Sequence, residues 1–182
     1  MLTIHVKLIE YYDDDQDQFI TDVFKLDMEH SLLSLSKWES DHERPFLDSS
    51  EKTPEDVLDY VKAMVLTESV PDYVYDAFSV ENLNEINDYI SAKKTATWFS
   101  EHDETPTPGA PKEVITSELI YYWMLSYSIP MECERWHLNR LFTLIKVFNV
   151  KNSKPKKLSA SEIAARNAKL NAERRASLGS DG

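Results

Sequence analysis

The amino-acid sequence predicts a mostly α-helical protein that begins with a β-hairpin. Apolar residues alternate with polar ones in two runs within the first 28 residues, the pattern of half-buried strands. From residue 31 onward, apolar residues recur at helical spacing instead. Only 3 of the 182 residues are glycine, which argues against a turn-rich β-sandwich or barrel. We therefore predict a helical domain of about five to six helices between the hairpin and a basic C-terminal helix.

The hairpin, residues 1–28, consists of two predicted strands joined by an acidic segment. The apolar positions of the first strand are Leu2, Ile4, Val6 and Leu8. The second strand, residues 21–28, has one face formed by Phe24, Leu26 and Met28. Between the strands, the run YYDDDQDQF predicts a long acidic loop.

Three aspartates at alternate positions of this loop, Asp13, Asp15 and Asp17, resemble the start of a calcium-binding loop. An EF-hand also requires glycine at its sixth position and glutamate at its twelfth, where this sequence has Gln18 and Phe24. A solvated hairpin loop is therefore the better interpretation, and we predict no metal site.

The first two helices have clear boundary signals. One begins after Ser31 and ends before Pro45, because proline cannot continue a helix. The next has Thr53 as its N-cap and Pro54 at its first position. The positions predicted to face inward in the first helix are Leu32, Leu35, Trp38 and His42. The apolar stripe predicted for the second is Val57, Leu58, Val61 and Val65.

Three more helices are predicted within the region 31–150. Ser79 caps one that carries Leu83, Ile86 and Ile90. After a proline-containing loop at 101–111, Thr116 opens another, with Leu119, Ile120, Trp123 and Met124. Pro130 starts a third that runs to about Phe148, and its broad apolar face predicts a central position. That face is Leu138, Leu141, Phe142, Ile145 and Phe148.

Charge divides the chain into two parts. Residues 1–150 carry 12 basic and 29 acidic residues, a net charge of −17, and we predict that they form a single acidic domain. Residues 151–182 carry eight basic and three acidic residues, a net charge of +5. This segment is predicted to be a linker and a basic helix, with Ser159 and Glu162 as a capping box and Gly179 at its end.

Composition narrows the possible functions. A single cysteine cannot form an internal disulfide, which indicates a reducing compartment. We expect no signal peptide and no membrane span. The acidic body repels nucleic acid, so nucleic-acid binding would rest on the basic tail alone. The sequence contains no phosphate-binding loop, nucleophile elbow or zinc-protease motif, so we expect no enzyme activity and no cofactor.

Cys133 and His137 are the residues whose pattern most resembles a metal-binding or reactive site. If one helix holds both, they share a face and could bind a metal together. Zinc requires three or four protein ligands, however, and the other histidines are scattered. Glu132 and Glu134 flank the cysteine and oppose thiolate formation. We therefore predict a buried cysteine and a hydrogen-bonded histidine.

Aromatic and basic residues are the candidates for partner binding. The four tryptophans, with Tyr121 and Tyr122, either pack internally or reach the surface as interface anchors, and the sequence leaves both alternatives open. The residues predicted to bind a partner are Trp123, Trp136, Lys156, Lys157, Arg166, Arg174 and Arg175.

Several segments resemble a small protein of tailed bacteriophages. In order they are LDMEHSLLSLSKWES, KTPEDVLDYVKAM, INDYISAKKTATWFS, VITSELIYYWMLSYSIPMECERWHLNRLFTLI and ARNAKLNAERRASLG. Together they extend over roughly residues 26–182. The resemblance is to the tail-morphogenesis type of protein described as a tail assembly chaperone.

This resemblance implies a non-enzymatic protein that coats the long helical tape-measure protein in the host cytoplasm until tail-tube subunits replace it. It also implies self-association, and it transfers no catalytic residue. The alternative is a structural subunit of the virion, such as a neck, baseplate or capsid accessory protein. The predicted hairpin favours this alternative, because several such chaperones are helical throughout. A host-directed or nucleic-acid-binding factor is the third class.

Overall fold

The computed structural model describes residues 1–13, 17–99, 114–152 and 160–178. Within these ranges it contains one antiparallel hairpin and seven α-helices, so the protein is mostly α-helical with an N-terminal hairpin. The strands are β1 (Leu2–Asp13) and β2 (Gln18–Met28). The helices are α1 (Leu32–His42), α2 (Pro54–Met64), α3 (Asp72–Asp76), α4 (Val80–Ser91), α5 (Ser117–Ser126), α6 (Leu138–Asn152) and α7 (Ala160–Leu178). The chain divides into two compact units, Met1–Val150 and Lys151–Gly182.

The hairpin is confirmed, but its strands are longer than the sequence predicted. β1 extends to Asp13 and β2 begins at Gln18, so most of the predicted long loop belongs to the strands. Cross-strand pairing explains the extension, because Tyr12 lies opposite Phe19 and their rings make an edge contact. Asp15, a member of the rejected calcium-loop pattern, lies outside the described residues.

The predicted N-caps Thr53 and Ser79 are confirmed, and Ser31 and Thr116, predicted only as the residues where helices begin, are N-caps as well. The side chains of Ser31, Thr53, Ser79 and Thr116 each accept a hydrogen bond from the backbone N–H three residues later, which satisfies an amide that the helix leaves open. In α1, α2 and α4 the residue at the third helical position also bonds back to the cap, forming a capping box.

The helix predicted to run from Pro130 to about Phe148 is interrupted. Met131–Arg135 form a 3₁₀ turn, Trp136 is extended, and α6 starts only at Leu138. Tertiary hydrogen bonds account for the break. His137 forms a β-bridge with Ser31, and the N–H of Leu138 donates to the carbonyl of His30 at 2.7 Å.

The core lies between one face of the hairpin and the helices. The predicted strand residues Ile4, Val6, Leu26 and Met28 are all fully buried. The hairpin is joined to α2 by backbone hydrogen bonds, from Glu29 to the Met64 carbonyl and from Leu66 to the Asp27 carbonyl. The largest fully buried side chains from the helices are Trp38, Tyr60, Leu32, Leu35, Met64, Ile120, Met124, Leu138 and Leu141.

The observed burial of side chains differs from the apolar stripes predicted for α2 and α4. On α2, Asp56, Tyr60, Val61 and Met64 are buried, whereas Val57 is 48% exposed. On α4, Ile86 is buried but Leu83 is 46% exposed. The short helix α3, which starts after Pro71, was not predicted.

The second unit contains α7, on which Leu170 is exposed. The predicted cap Ser159, the terminating Gly179 and the loop 101–111 lie outside the described residues. Among the described helices, none combines the length and apolarity required to cross a membrane.

Candidate partner-binding site

Cys133 and His137 are not a chemical site. Both are buried, as predicted, but the break between the 3₁₀ turn and α6 separates them instead of placing them on one helical face. Burial and the neighbouring Glu132 raise the pKa of the Cys133 thiol, which keeps it protonated and unreactive. Among the described residues no group of histidine, cysteine and carboxylate side chains could hold a metal ion.

His137 belongs instead to a buried cluster of polar side chains that are joined by hydrogen bonds and ring contacts within the core. Its Nε2–H donates to the Tyr89 carbonyl at 2.9 Å, and its ring lies 5.1 Å from that of His30. Nδ1 of His30 is 2.7 Å from the Tyr60 hydroxyl, and the Tyr89 hydroxyl donates to Glu29 at 2.7 Å. Burial, with His137 beside it, lowers the pKa of His30 to about 4. The cluster therefore holds neutral imidazoles, and its role is structural.

The tryptophans divide between core and surface. Trp38 is fully buried, and its Nε1–H donates to the Asp56 carbonyl at 3.0 Å. Trp98 is 84% exposed, with the Lys93 amino group 5.0 Å from its ring centre. Trp123 and Trp136, the two predicted to bind a partner, are partly buried against the core. The guanidinium of Arg140 covers the Trp136 ring at 3.9 Å.

The predicted basic contact residues are described only in part. Arg174 and Arg175 are exposed on α7, whereas nothing is described of the Arg166 side chain. Lys156 and Lys157 lie outside the described residues. Their role in partner binding stays a prediction.

The surface that best fits a macromolecular partner is an apolar groove formed by α2, α3 and α4. It encloses about 450 Å³. Its walls are formed almost entirely by apolar and aromatic side chains: Pro54, Val57, Leu58, Val61, Tyr75, Phe78 and Leu83, with Lys52 at one end. The sequence identified Val57 and Leu83 as apolar stripe positions but could not show that they face an open groove.

An ion pair between the buried Asp56 and the exposed Arg44 fixes the rotation of α2 that leaves this groove open. The Asp56 carboxylate accepts a hydrogen bond from Arg44, and its second oxygen accepts from the Thr53 N–H at 2.8 Å. These donors hold the pKa of Asp56 at about 2. Because Asp56 is held inward, the positions one helical turn apart on the same face, Tyr60 and Met64, enter the core. Val57, in the first turn of the helix, faces outward.

The helices that form the groove are acidic, although the charged side chain that lines it among the described residues is Lys52. The three helices carry eight acidic residues and a single basic one, Lys62, whose amino group lies 5.6 Å from the Tyr75 ring centre. The acidic residues are Glu55, Asp56, Asp59, Asp72, Asp76, Glu81, Glu85 and Asp88. All but Asp56 are at least partly exposed. The groove therefore presents apolar walls within a negative field, which favours an apolar ligand that carries positive charge.

A second exposed aromatic surface lies beside α6. Trp98 and Phe99 form one side of a cavity of about 410 Å³, and Asn139, Phe142 and Thr143 form the other. The Lys146 amino group lies 4.4 Å from the Phe99 ring centre. The sequence left open whether each tryptophan packs internally or reaches the surface. Trp98 reaches the surface, in contrast to the partly buried Trp123 and Trp136.

Comparisons with protein-family models, with curated protein sequences and with solved structures found no match to this chain.

Proposed function

We propose that the protein is a non-enzymatic bacteriophage assembly protein that binds the tape-measure protein as a tail assembly chaperone. The apolar groove formed by the acidic helices α2, α3 and α4 is the observation that carries this proposal. The sequence resemblance supplies the identity of the partner, and the groove supplies a surface that suits its chemistry.

The groove suits an amphipathic helix. Helices bind in grooves through apolar side chains spaced three or four residues apart, which enter between the walls. Val57 on α2 and Leu83 on α4 both line the groove, as do the Tyr75 and Phe78 rings, whose centres are 5.8 Å apart. Lysine or arginine residues beside the apolar stripe of the partner would meet exposed carboxylates such as Glu55 and Glu81.

The walls are rigid while the contact residues are exposed. Capping boxes fix the starts of α2 and α4, and the Arg44–Asp56 pair fixes the rotation of α2. A preorganised groove loses little conformational entropy on binding. A groove of this size also engages only a short stretch of helix, so each contact is weak and reversible, as temporary coating requires.

Co-expression with the tape-measure protein of the same phage tests the proposal. We expect the wild-type chain to keep the tape measure soluble and to co-purify with it. The double variant Val57→Ser/Leu83→Ser should lose both effects, because it removes an apolar side chain from each wall. The matched control Tyr122→Ser/Leu125→Ser, which removes two exposed side chains from α5, should retain them. Equal solubility of the tape measure with and without the wild-type protein would refute the proposal.

The exposed hairpin favours a second candidate, a structural subunit of the virion. A permanent neck, baseplate or capsid accessory protein would use such a projecting ribbon as a fixed contact. Quantitative mass spectrometry of purified particles and of infected-cell lysate separates the two functions. Abundance in the lysate with absence from the particle fits the chaperone, whereas a fixed copy number per particle fits the structural subunit.

A further inference from the structure

We infer that the outer half of the hairpin binds the basic C-terminal helix α7 of a second copy of the chain, so that copies associate head to tail. The outer half, Leu8–Asp13 with Gln18–Val23, is called the arm below. This inference concerns a surface separate from the groove and does not depend on the tape-measure proposal.

The arm carries large apolar side chains that the described residues of the first unit leave exposed. Ile9 is 62% exposed and Phe19 is 69% exposed, and Tyr12 and Val23 are also exposed. Tyr12, Phe19 and Val23 lie on one face of the ribbon and Ile9 lies on the other. Three large apolar side chains on one face exceed the scattered exposed residues that are normal for a surface. The arm therefore has the composition of an interaction surface.

A β-bulge extends the apolar face of the hairpin into the arm. The pairing shifts between Lys7 and Ile9, so that Lys7 lies opposite Val23 and Ile9 lies opposite Asp22. Residues that are directly opposite share a face, and Asp22 is on the same face of β2 as Phe24 and Leu26. Without the bulge, Ile9 would lie on the opposite face. Ile9 and Ile20 thus continue the buried stripe beyond the helices.

The arm requires a covering layer that the first unit does not supply in its described residues. A two-stranded ribbon is only marginally stable in water unless a helix or further strands cover it. Helix α4 reaches the inner half, where Asn82 donates to the His5 carbonyl at 3.2 Å. Ile9, on the same face as the buried residues of the inner half, is exposed, so no comparable cover from the described residues reaches this face of the arm.

Charge identifies α7 as the covering helix. The sequence from Leu8 to Val23 contains six acidic residues and no basic residue, and Glu10, Asp17 and Asp22 are exposed. Two arms would therefore repel one another. The part of the chain with the opposite charge is the segment 151–182, at +5. On α7, exposed Leu170 provides an apolar contact, and Lys169 and Arg175 are exposed on either side of it along the chain.

A contact between the arm of one copy and α7 of the next is heterologous. Each copy then has one free arm and one free helix, so association extends into a chain or closes into a ring. Because the contact combines apolar burial with opposite charges, salt should weaken it without abolishing it.

Sedimentation velocity on the full-length chain, over a range of protein and salt concentrations, tests this inference. The wild type should form oligomers whose size grows with concentration and falls with salt. The arm variant Ile9→Ser/Phe19→Ser and the helix variant Lys169→Glu/Arg175→Glu should each raise the apparent dissociation constant about tenfold or more. The control variants Tyr122→Ser/Leu125→Ser and Lys37→Glu/Lys93→Glu should behave as wild type. Circular dichroism should show unchanged helix content in all four.

Mixing the two variants identifies which copies are in contact. The arm variant retains a native α7, and the helix variant retains a native arm, so an equimolar mixture should form heterodimers and stop there. A mixture that stays monomeric would show that the arm of one copy does not bind α7 of another, which would overturn the inference. A monomeric wild type, or oligomers unaffected by either variant, would overturn it as well.

Discussion

The hydroxyl oxygen of Tyr60 lies 2.7 Å from Nδ1 of His30, and the two groups form a hydrogen bond inside the core. Tyr60 and His30 are both almost completely buried. Burial and the adjacent His137 lower the pKa of His30 from 6.5 to about 4. The folded protein therefore keeps this imidazole neutral at a pH where the unfolded chain protonates it.

This relationship predicts that stability falls as the pH decreases from about 6.5 to about 4. Above the unfolded pKa both states are neutral and His30 contributes no pH dependence. Below it, only the unfolded state binds the proton, so unfolding becomes progressively easier until the folded pKa is reached. The full loss is about 3 kcal/mol. Burial also lowers the pKa of His137, which acts in the same direction.

Urea unfolding at a series of pH values measures this effect. The variant His30→Gln should flatten the pH dependence in this window, even if its overall stability is lower. The control His5→Gln, at an exposed position, should retain the wild-type slope. An identical slope in the wild type and in His30→Gln would show that His30 is not the group responsible.

A second prediction concerns the ion pair that fixes α2. The variant Asp56→Ala should lower Tm by several degrees, because it removes both the partner of Arg44 and one half of the capping box. Asp56→Asn should lower Tm less, since its amide oxygen can still accept from the Thr53 N–H. The control Glu55→Ala, at an exposed position of the same helix turn, should change Tm little.

The Arg44–Asp56 ion pair also links the stability of the folded protein to partner binding in the groove. If Asp56 fixes the rotation of α2, Asp56→Ala should also weaken co-purification of the tape-measure protein at a temperature where the variant is folded. Differential scanning calorimetry establishes the folded range, and the co-expression assay then gives the binding result. Full binding by folded Asp56→Ala would mean that the groove does not depend on this pair.

The elements that the sequence predicted well are those set by nearby residues. Ser31, Thr53, Ser79 and Thr116 each act on an amide three residues away, so the cap is visible in a short window. The first strand is similar, because its alternation requires only one buried face. The helix break at His137 was missed because its hydrogen-bonding partner, Ser31, lies far away in the sequence.

The candidate groove could be predicted only in part. Val57 and Leu83 were recognised as apolar stripe positions, but exposure depends on which neighbouring helix covers them. The unpredicted helix α3 contributes Tyr75 to the groove, and Phe78 follows shortly after it. The inward position of Asp56 depends on Arg44, which precedes α2 in an irregular segment without a periodic pattern. Partner binding by Trp123, Trp136 and the basic residues of the tail stays a prediction.

A third prediction concerns Cys133. Because burial raises the pKa of its thiol, the native protein should react slowly with a thiol reagent at neutral pH, and the urea-unfolded protein should react rapidly. Cys133→Ala should cost about 1 kcal/mol of stability through lost packing. It should leave co-purification with the tape measure unchanged. Rapid labelling of the native chain would contradict the interpretation of this cysteine as a core residue.

The last prediction concerns Glu39, a buried carboxylate that joins two distant parts of the chain. Its Oε1 accepts from the Phe46 N–H at 3.0 Å, and its Oε2 accepts from the Ser117 N–H at 2.7 Å, at the start of α5. Glu39→Gln replaces one acceptor oxygen with an NH₂ donor that must face an N–H donor. We expect a loss of about 1–3 kcal/mol, because a buried backbone amide is left without an acceptor. Glu43→Gln, at the C-cap of α1, is the exposed control and should cost little. Hydrogen exchange should locate the effect, since losing the Oε2 contact would speed exchange at Ser117 while the amides of α2 stay protected. Uniformly faster exchange throughout the first unit would mean that Glu39 stabilises the whole core and does not specifically anchor α5.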